Sequence, residues 1–187
     1  PSIAEQITDA EGNLYTLPID MDLTGIVYNV NVLNEAGVNV DDLKTWDDFD
    51  AACEKVKAIG KTPIQIGGKD SYTVGNLMDF IAPTFISNED EANQQALLDG
   101  SFDWSKWNVV VDKVAGWNEA GYFNKDAVTS DFMTGVKAMA AEKSAFMFNS
   151  ASAISEMYVQ NPDTELGFMP LPARETGLKT SLMTGEH

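Results

Sequence analysis

The sequence predicts a mixed α/β domain. Short apolar runs bounded by Gly or Pro alternate along the chain with longer stretches in which apolar residues recur at helical spacing. The chain has 187 residues, of which 44% are hydrophobic, so it can bury a sizeable core. We find no internal repeat and no low-complexity segment. We therefore expect a folded unit of one domain or one and a half.

The predicted strands are short and rich in β-branched and aromatic residues. They cover residues 14–18, 25–29, 63–67, 145–148 and 166–169. Gly12 and Asn13 form a turn before the first strand, and Pro170 and Pro172 end the last one. From there to His187 we expect no further helix or strand.

The predicted helices cover residues 31–37, 45–60, 75–85, 91–98, 107–121, 131–141 and 150–159. The clearest begins at Thr45, with Asp48 three positions later in a variant of the capping box. Trp46 is expected to anchor that helix in the core, and Cys53 lies on its apolar face. Ser150 is expected to cap the last helix.

Charge and residue usage exclude several classes of function. Lys and Arg number 12 against 29 Asp and Glu, a net charge of -17 spread along the chain, so nucleic acid would be repelled. The only histidine is His187, which excludes Ser-His-Asp and Cys-His catalysis. A single cysteine allows no internal disulfide. The acidic turn from Asp9 to Asn13 lacks the further ligands of a calcium loop, so we expect no metal and no cofactor.

Several sequence phrases, in the same order, resemble the extracellular solute-binding proteins of carbohydrate ABC transporters. They are GNLYTLP at 12–18, GIVYN at 25–29, LNEAG at 33–37, KTWDDF at 44–49, GKTPI at 60–64 and GFMPLP at 167–172. Residues 132–149 also resemble the helix and strand that precede the ligand cleft. One departure is Leu43, which stands before Lys44 where the family usually has proline.

The resemblance implies a periplasmic-binding-protein type II fold, in which two lobes close around a ligand. Residues 1–187 would form a single α/β lobe, mostly the C-terminal lobe of a longer protein. Residues 1–24 and 173–187 would run toward the hinge.

The same resemblance implies a non-catalytic protein that binds a sugar ligand and delivers it to ABC transporter permease subunits. We expect a monomer. We expect an extracellular location, either as a membrane-anchored lipoprotein or in the periplasm, with the anchor or signal outside this chain. No run approaches about 18 apolar residues, and residues 1–6 have neither the basic nor the apolar region of a signal peptide.

Sugars present hydroxyl groups at their rim and weakly apolar faces, so carboxylates, amides and aromatic rings are the expected contacts. The resemblance matches Asp22, with Asp20 second, to a ligand-contacting acid of the family. It matches Asp70 and Tyr72 to an acid and a tyrosine that meet the sugar in maltose-binding relatives. The alternatives are a solvated turn for Asp20 and Asp22, and a helix cap for Asp70.

Asn149, at the end of a predicted strand, is a further candidate for a bond to a sugar hydroxyl. Many relatives continue there with Gly and a stacking Trp, whereas this chain has Ala151 and Ser152, which leaves the stacking residue and the ligand class open. Glu186 lies in a segment that often returns to the cleft in relatives.

Two other functions stay open from the residues themselves. A carbohydrate-active hydrolase could use a pair among Asp20, Asp22 and Asp70 as acid and base. An acidic surface domain that binds another protein would need no small ligand.

Overall fold

A computed structural model describes residues 7–9, 11–14, 21–88, 90–180 and 183–186. The strands are β1 (Met21–Asn29), β2 (Thr62–Ile64), β3 (Ser144–Ser150), β4 (Leu166–Met169) and β5 (Met183–Glu186). The helices are α1 (Val30–Glu35), α2 (Trp46–Ala58), α3 (Tyr72–Ile86), α4 (Glu91–Asp99), α5 (Asn108–Glu119), α6 (Phe132–Ala140) and α7 (Ala153–Gln160). Two 3-10 helices, Val40–Asp42 and Trp104–Trp107, precede α2 and α5. This order confirms the predicted α/β class.

The strands form one mixed sheet in the order β2-β3-β1-β4, with β5 also paired to β1. β2 and β3 are parallel, whereas β1 runs antiparallel to β3, β4 and β5. Thr24 lies opposite Ser150, and Tyr28 lies opposite Phe146. β3 pairs along one side of β1. β4 and β5 pair along the other side, β5 with residues 21–24 and β4 with residues 26–29.

Alternation along the strands separates the core into two layers, one on each face of the sheet. Ile26 and Phe146 belong to the larger cluster, which α1, α2, α3 and α5 complete. Val27 and Met147 belong to a smaller cluster with residues of α6 and α7. The sheet therefore lies between two layers of helices.

Trp46 anchors the larger layer, as its place at the start of a helix predicts. Its side chain is 2% exposed and stacks on Phe148, with ring centroids 6.2 Å apart. The indole N–H donates a 2.9 Å hydrogen bond to the Thr84 hydroxyl, so the polar atom of this buried ring has a partner. Thr45 and Asp48 form the predicted capping box. Cys53 is fully buried, and burial raises the pKa of its thiol, so it is inert.

Two expectations from the sequence are wrong. Ser150 does not cap a helix, because β1 extends back to Met21 and keeps Ser150 paired in β3 opposite Thr24. The chain after Pro172 contains β5. This strand carries no local strand signal and forms by pairing with residues 21–24 of β1. The predicted strand over 14–18 lies outside the described residues except for Leu14, which forms an isolated bridge with Thr8 beyond the predicted turn.

Candidate ligand site at one edge of the sheet

The sheet topology brings most of the predicted site residues to one edge of the sheet, the edge formed by the carboxyl ends of β2 and β3. β2 and β3 are parallel, so their carboxyl ends lie at the same edge, where Asn149 is the last residue but one of β3 and Asp70 and Tyr72 follow β2. β1 runs the other way, so its first residues, including Asp22, lie at this edge too. Four candidates from three separate segments of the chain therefore lie at the same edge.

Asp22 is held in a fixed orientation. Its Oδ1 accepts a 2.8 Å hydrogen bond from Leu23 N, and its Oδ2 accepts a 3.0 Å bond from the Ser152 hydroxyl. Burial acts to raise the pKa of this carboxyl, but the hydroxyls of Ser150 and Ser152 and the backbone N–H groups lower it, and the net effect holds the pKa below its ordinary value. Asp22 is therefore an ionised acceptor.

The Ser150 and Ser152 hydroxyls are also hydrogen-bonded to each other. Either oxygen can be the donor of this bond. The two hydroxyl oxygens and the Asp22 carboxylate can all accept from hydroxyl donors. This chain of groups suits a polyhydroxy ligand.

Asn149 points its carboxamide oxygen at the Ser150 N–H, from which it accepts a 2.8 Å hydrogen bond. It borders a cavity of about 10 Å³, together with Gly67 and Thr73, that has room for one water molecule at most. Among the described residues, no partner accepts from the Asn149 side-chain N–H₂ group. This group can donate to a ligand.

Asp70 has a structural contact that the sequence did not predict. Its Oδ2 accepts a 2.8 Å hydrogen bond from Phe132 N, at the first residue of α6, where the helix dipole favours a negative charge. The predicted alternative, a side-chain cap of the following helix, is wrong, because Ser71 precedes α3 and no side chain caps that end. Asp70 instead fixes its loop to α6.

Tyr72 is the exposed aromatic side chain of this edge. It is 53% exposed at the start of α3, so a ligand can reach its side chain. Partial burial, with a smaller effect from the negative charge of Asp70, raises the pKa of its phenol, which stays protonated. The Tyr72 hydroxyl can therefore donate a hydrogen bond as well.

The remaining two candidates are less fully described. Asp20 lies outside the described residues. Glu186 lies in β5, where its backbone pairs with Met21, and its side chain is outside the described part of the structure. The backbone pairing brings Glu186 to the same end of β1 as Asp22.

Ser152 is the site residue that sequence reasoning missed. From the sequence, its position stands out only as one where many relatives carry a stacking side chain. The available signal was its place two residues after a strand that ends at the predicted cleft. In the part of the chain that the structure describes, no cluster of three or more His, Cys, Asp or Glu side chains could hold a metal ion.

The comparisons with known proteins agree with this geometry. The sequence profile described as the bacterial extracellular solute-binding protein matches residues 1–185. The chain belongs to that family. The resemblance that the sequence phrases indicate is therefore confirmed.

Two curated relatives in this solute-binding family are named for sugars. The melibiose/raffinose/stachyose-binding protein MelE of Bacillus subtilis is 26% identical over 181 residues, which cover 95% of this chain and 42% of that protein. The multiple sugar-binding protein of Streptococcus mutans is 24% identical over 194 residues, covering 92% of this chain and 42% of that protein. The chain thus spans less than half the length of these relatives.

Solved structures of solute-binding proteins show the same fold. A sugar transporter from Bacillus licheniformis in complex with stachyose is 29% identical and superposes with a TM-score of 0.86, covering 97% of this chain and 48% of that one. A putative binding protein from Bacillus subtilis in an open conformation is 26% identical, with a TM-score of 0.85, covering 96% of this chain and 46% of that one. The predicted fold, one lobe of a type II periplasmic binding protein, is confirmed. No helix in the described ranges is long and apolar enough to span a bilayer.

Proposed function

We propose that this chain is the sugar-binding C-terminal lobe of a solute-binding protein that serves a carbohydrate ABC importer. The observation that carries the proposal is the shared edge of the sheet, where an ionised and oriented Asp22 lies at the same edge as the exposed ring of Tyr72. A carboxylate for hydroxyl groups and a ring for the sugar face are the two contacts that a carbohydrate needs. Asn149 adds a hydrogen-bond donor.

α-Galactoside oligosaccharides are the first ligands to test. The names of one relative and one neighbour specify melibiose, raffinose or stachyose. Ala151 and Ser152 are small residues at the position where many relatives carry a stacking ring, which favours recognition by hydrogen bonds at that position.

A binding role fits the chemistry of Asp22 better than a hydrolytic one. A glycosidase needs one carboxyl with a raised pKa to protonate the leaving group. The pKa of Asp22 is lowered, and one oxygen of Asp70 is occupied by the start of α6. We therefore propose a protein that releases its sugar unchanged.

In the intact protein, residues 1–24 and 173–187 would approach the hinge, and ligand would favour the closed state because only that state contacts it from both lobes. The antiparallel pairing of residues 21–24 with β5 supports this, since both segments leave the lobe together. The closed form would dock on permease subunits. We propose an extracellular monomer, either anchored as a lipoprotein or free in the periplasm.

A thermal-shift screen of the natural protein that contains this chain tests the proposal, with raffinose, stachyose, melibiose, maltose and arabinooligosaccharides. A ligand at a hundredfold excess over its Kd stabilises the native state by about 2.7 kcal/mol, which is a readily measured rise in Tm. A rise with at least one sugar, without release of smaller sugars, supports binding. A flat panel beside a cooperative melt contradicts it, and hydrolysis of any sugar would favour the enzyme.

A further inference from the structure

The loop between β2 and α3, residues 65–71, is hydrogen-bonded to a second loop, residues 123–131. Gly68 N donates a 2.6 Å hydrogen bond to Ala127 O, and Lys69 N donates a 3.0 Å bond to Ser130 O. The first loop leads directly to Tyr72. Its conformation therefore depends on a segment with no predicted role in ligand contact.

Asn124 is the central group of this contact. It is 8% exposed, and its side-chain oxygen accepts a 2.8 Å hydrogen bond from Ile66 N while its side-chain nitrogen donates a 3.0 Å bond to Ile66 O. The backbone bridge on this side of β2 ends with Ile64 and Phe123. The carboxamide thus continues the strand pairing to Ile66, two residues beyond Ile64, at the point where the chain turns toward Tyr72.

The two loops also fit together without spare room. A Cβ on Gly67 would lie 2.6 Å from the carbonyl carbon of Asp131, and a Cβ on Gly68 would lie 2.5 Å from Ala127 O. The Thr73 hydroxyl closes the loop from within by donating a 2.9 Å bond to Gly67 O. Loss of the Asn124 hydrogen bonds would therefore alter the conformation of the whole 65–71 loop.

We propose that Asn124 is a positioning residue for sugar binding, which holds the 65–71 loop so that Tyr72 is ordered before the ligand arrives. This inference rests on the proposed function. Ordering a loop in advance removes an entropic cost from binding, so the benefit is seen in the Kd. Asn124 itself need not touch the sugar.

The test compares Asn124→Ala with Asn93→Ala in the natural protein. Asn93 is a matched control, because it is 7% exposed and donates a 2.7 Å bond to a backbone carbonyl, that of Ile86, away from the loop. Both variants should lower the Tm. Only Asn124→Ala should weaken binding of raffinose or stachyose in calorimetry, by about tenfold, while Asn93→Ala stays within about twofold.

Hydrogen exchange separates this inference from the proposed function, because it needs no ligand. The amides of Gly68 and Lys69 should exchange faster in Asn124→Ala and not in Asn93→Ala. If the parent binds no sugar of the panel, the proposed function fails, and exchange alone decides whether Asn124 holds the loop. Unchanged exchange, or an equal loss of affinity in both variants, overturns the inference.

A milder variant covers the case in which Asn124→Ala does not fold. Ser130→Ala removes the 3.0 Å bond from the Ser130 hydroxyl to Ile66 O and the 3.2 Å bond that Asn124 Nδ2 donates to that hydroxyl, and it leaves the two bonds between Asn124 and Ile66 in place. Its affinity should fall by about threefold, with a smaller rise in exchange at Gly68. Wild-type affinity and wild-type exchange in Ser130→Ala would count against the inference.

Discussion

Asp22 and Ser152 are 130 positions apart in the chain, yet the Ser152 hydroxyl donates a 3.0 Å hydrogen bond to the Asp22 carboxylate. The antiparallel pairing of Thr24 with Ser150 brings the two residues together. The second carboxylate oxygen accepts from Leu23 N, so the group is oriented before any ligand binds. Such a preset acceptor binds hydroxyl groups at low entropic cost.

Asp22→Asn should weaken sugar binding with little effect on folding. The amide is a neutral acceptor, and charge-assisted hydrogen bonds are roughly twice as strong as neutral ones, so we expect the Kd for raffinose to rise about tenfold or more. Ser152→Ala keeps the charge and should cost only about threefold. Calorimetry on the intact protein measures both. Equal affinity of Asp22→Asn and wild type would remove Asp22 from the site.

The pH dependence of binding should follow the carboxylate of Asp22. Its folded-state pKa lies below the ordinary value of 3.8, so its contribution to stability is present above that value and is lost as the pH falls through the lower folded pKa. The carboxylate that would accept from the sugar hydroxyls is ionised over the same pH range. The affinity for the sugar should therefore be constant from neutral pH down to about pH 4.5 and fall only in stronger acid. A loss of affinity centred near pH 6, measured by calorimetry across buffers, would require a different titrating group.

Tyr72 should contribute its ring more than its hydroxyl. Tyr72→Ala removes a stacking surface and should raise the Kd about tenfold, whereas Tyr72→Phe keeps the ring and should stay within about threefold. The side chain is 53% exposed, so neither change should alter the free energy of unfolding by more than about 0.5 kcal/mol. Tyr158, 41% exposed on α7, provides the control: Tyr158→Ala should bind like wild type.

Local signals in the sequence predicted the helices better than the site. The capping box at Thr45 and the buried position of Trp46 follow from neighbouring residues, and both are confirmed. The contact between Ser152 and Asp22 depends on strand register, which no local pattern encodes. The same is true of Asp70, whose carboxylate binds Phe132 N 62 positions away.

Strand β5 shows the same limit within the fold. Its four residues include Gly185, and Gly is depleted in strands. A stretch that contains prolines also separates it from β4. Neither feature predicts a strand. It pairs because β4 covers only residues 26–29 of β1 and leaves residues 21–24 open on that edge. An element of this kind becomes predictable once the extent of β1 is known.

Two glycine substitutions should change stability in opposite directions. A Cβ on Gly167 would lie 2.1 Å from Cζ of Tyr28, so Gly167→Ala must displace that ring, which packs against the core, and should cost about 1–3 kcal/mol. Gly116 lies inside α5 with nothing within 4 Å of the added Cβ, so Gly116→Ala should stabilise by about 1 kcal/mol. Urea unfolding of both variants measures the difference. A stable Gly167→Ala protein would mean that Tyr28 has another place to pack.

The 187-residue chain alone should bind raffinose and stachyose far more weakly than the natural protein does. In the proposed mechanism the ligand favours closure because two lobes contact it, and this chain supplies the contacts of one lobe. The cavity at its candidate site, about 10 Å³, does not enclose a sugar ring, so most of the ligand would stay in water. Calorimetry on the chain, after a cooperative thermal melt has shown that it is folded, makes the measurement. Micromolar or tighter affinity would mean that this lobe holds a complete site and that closure adds little to binding.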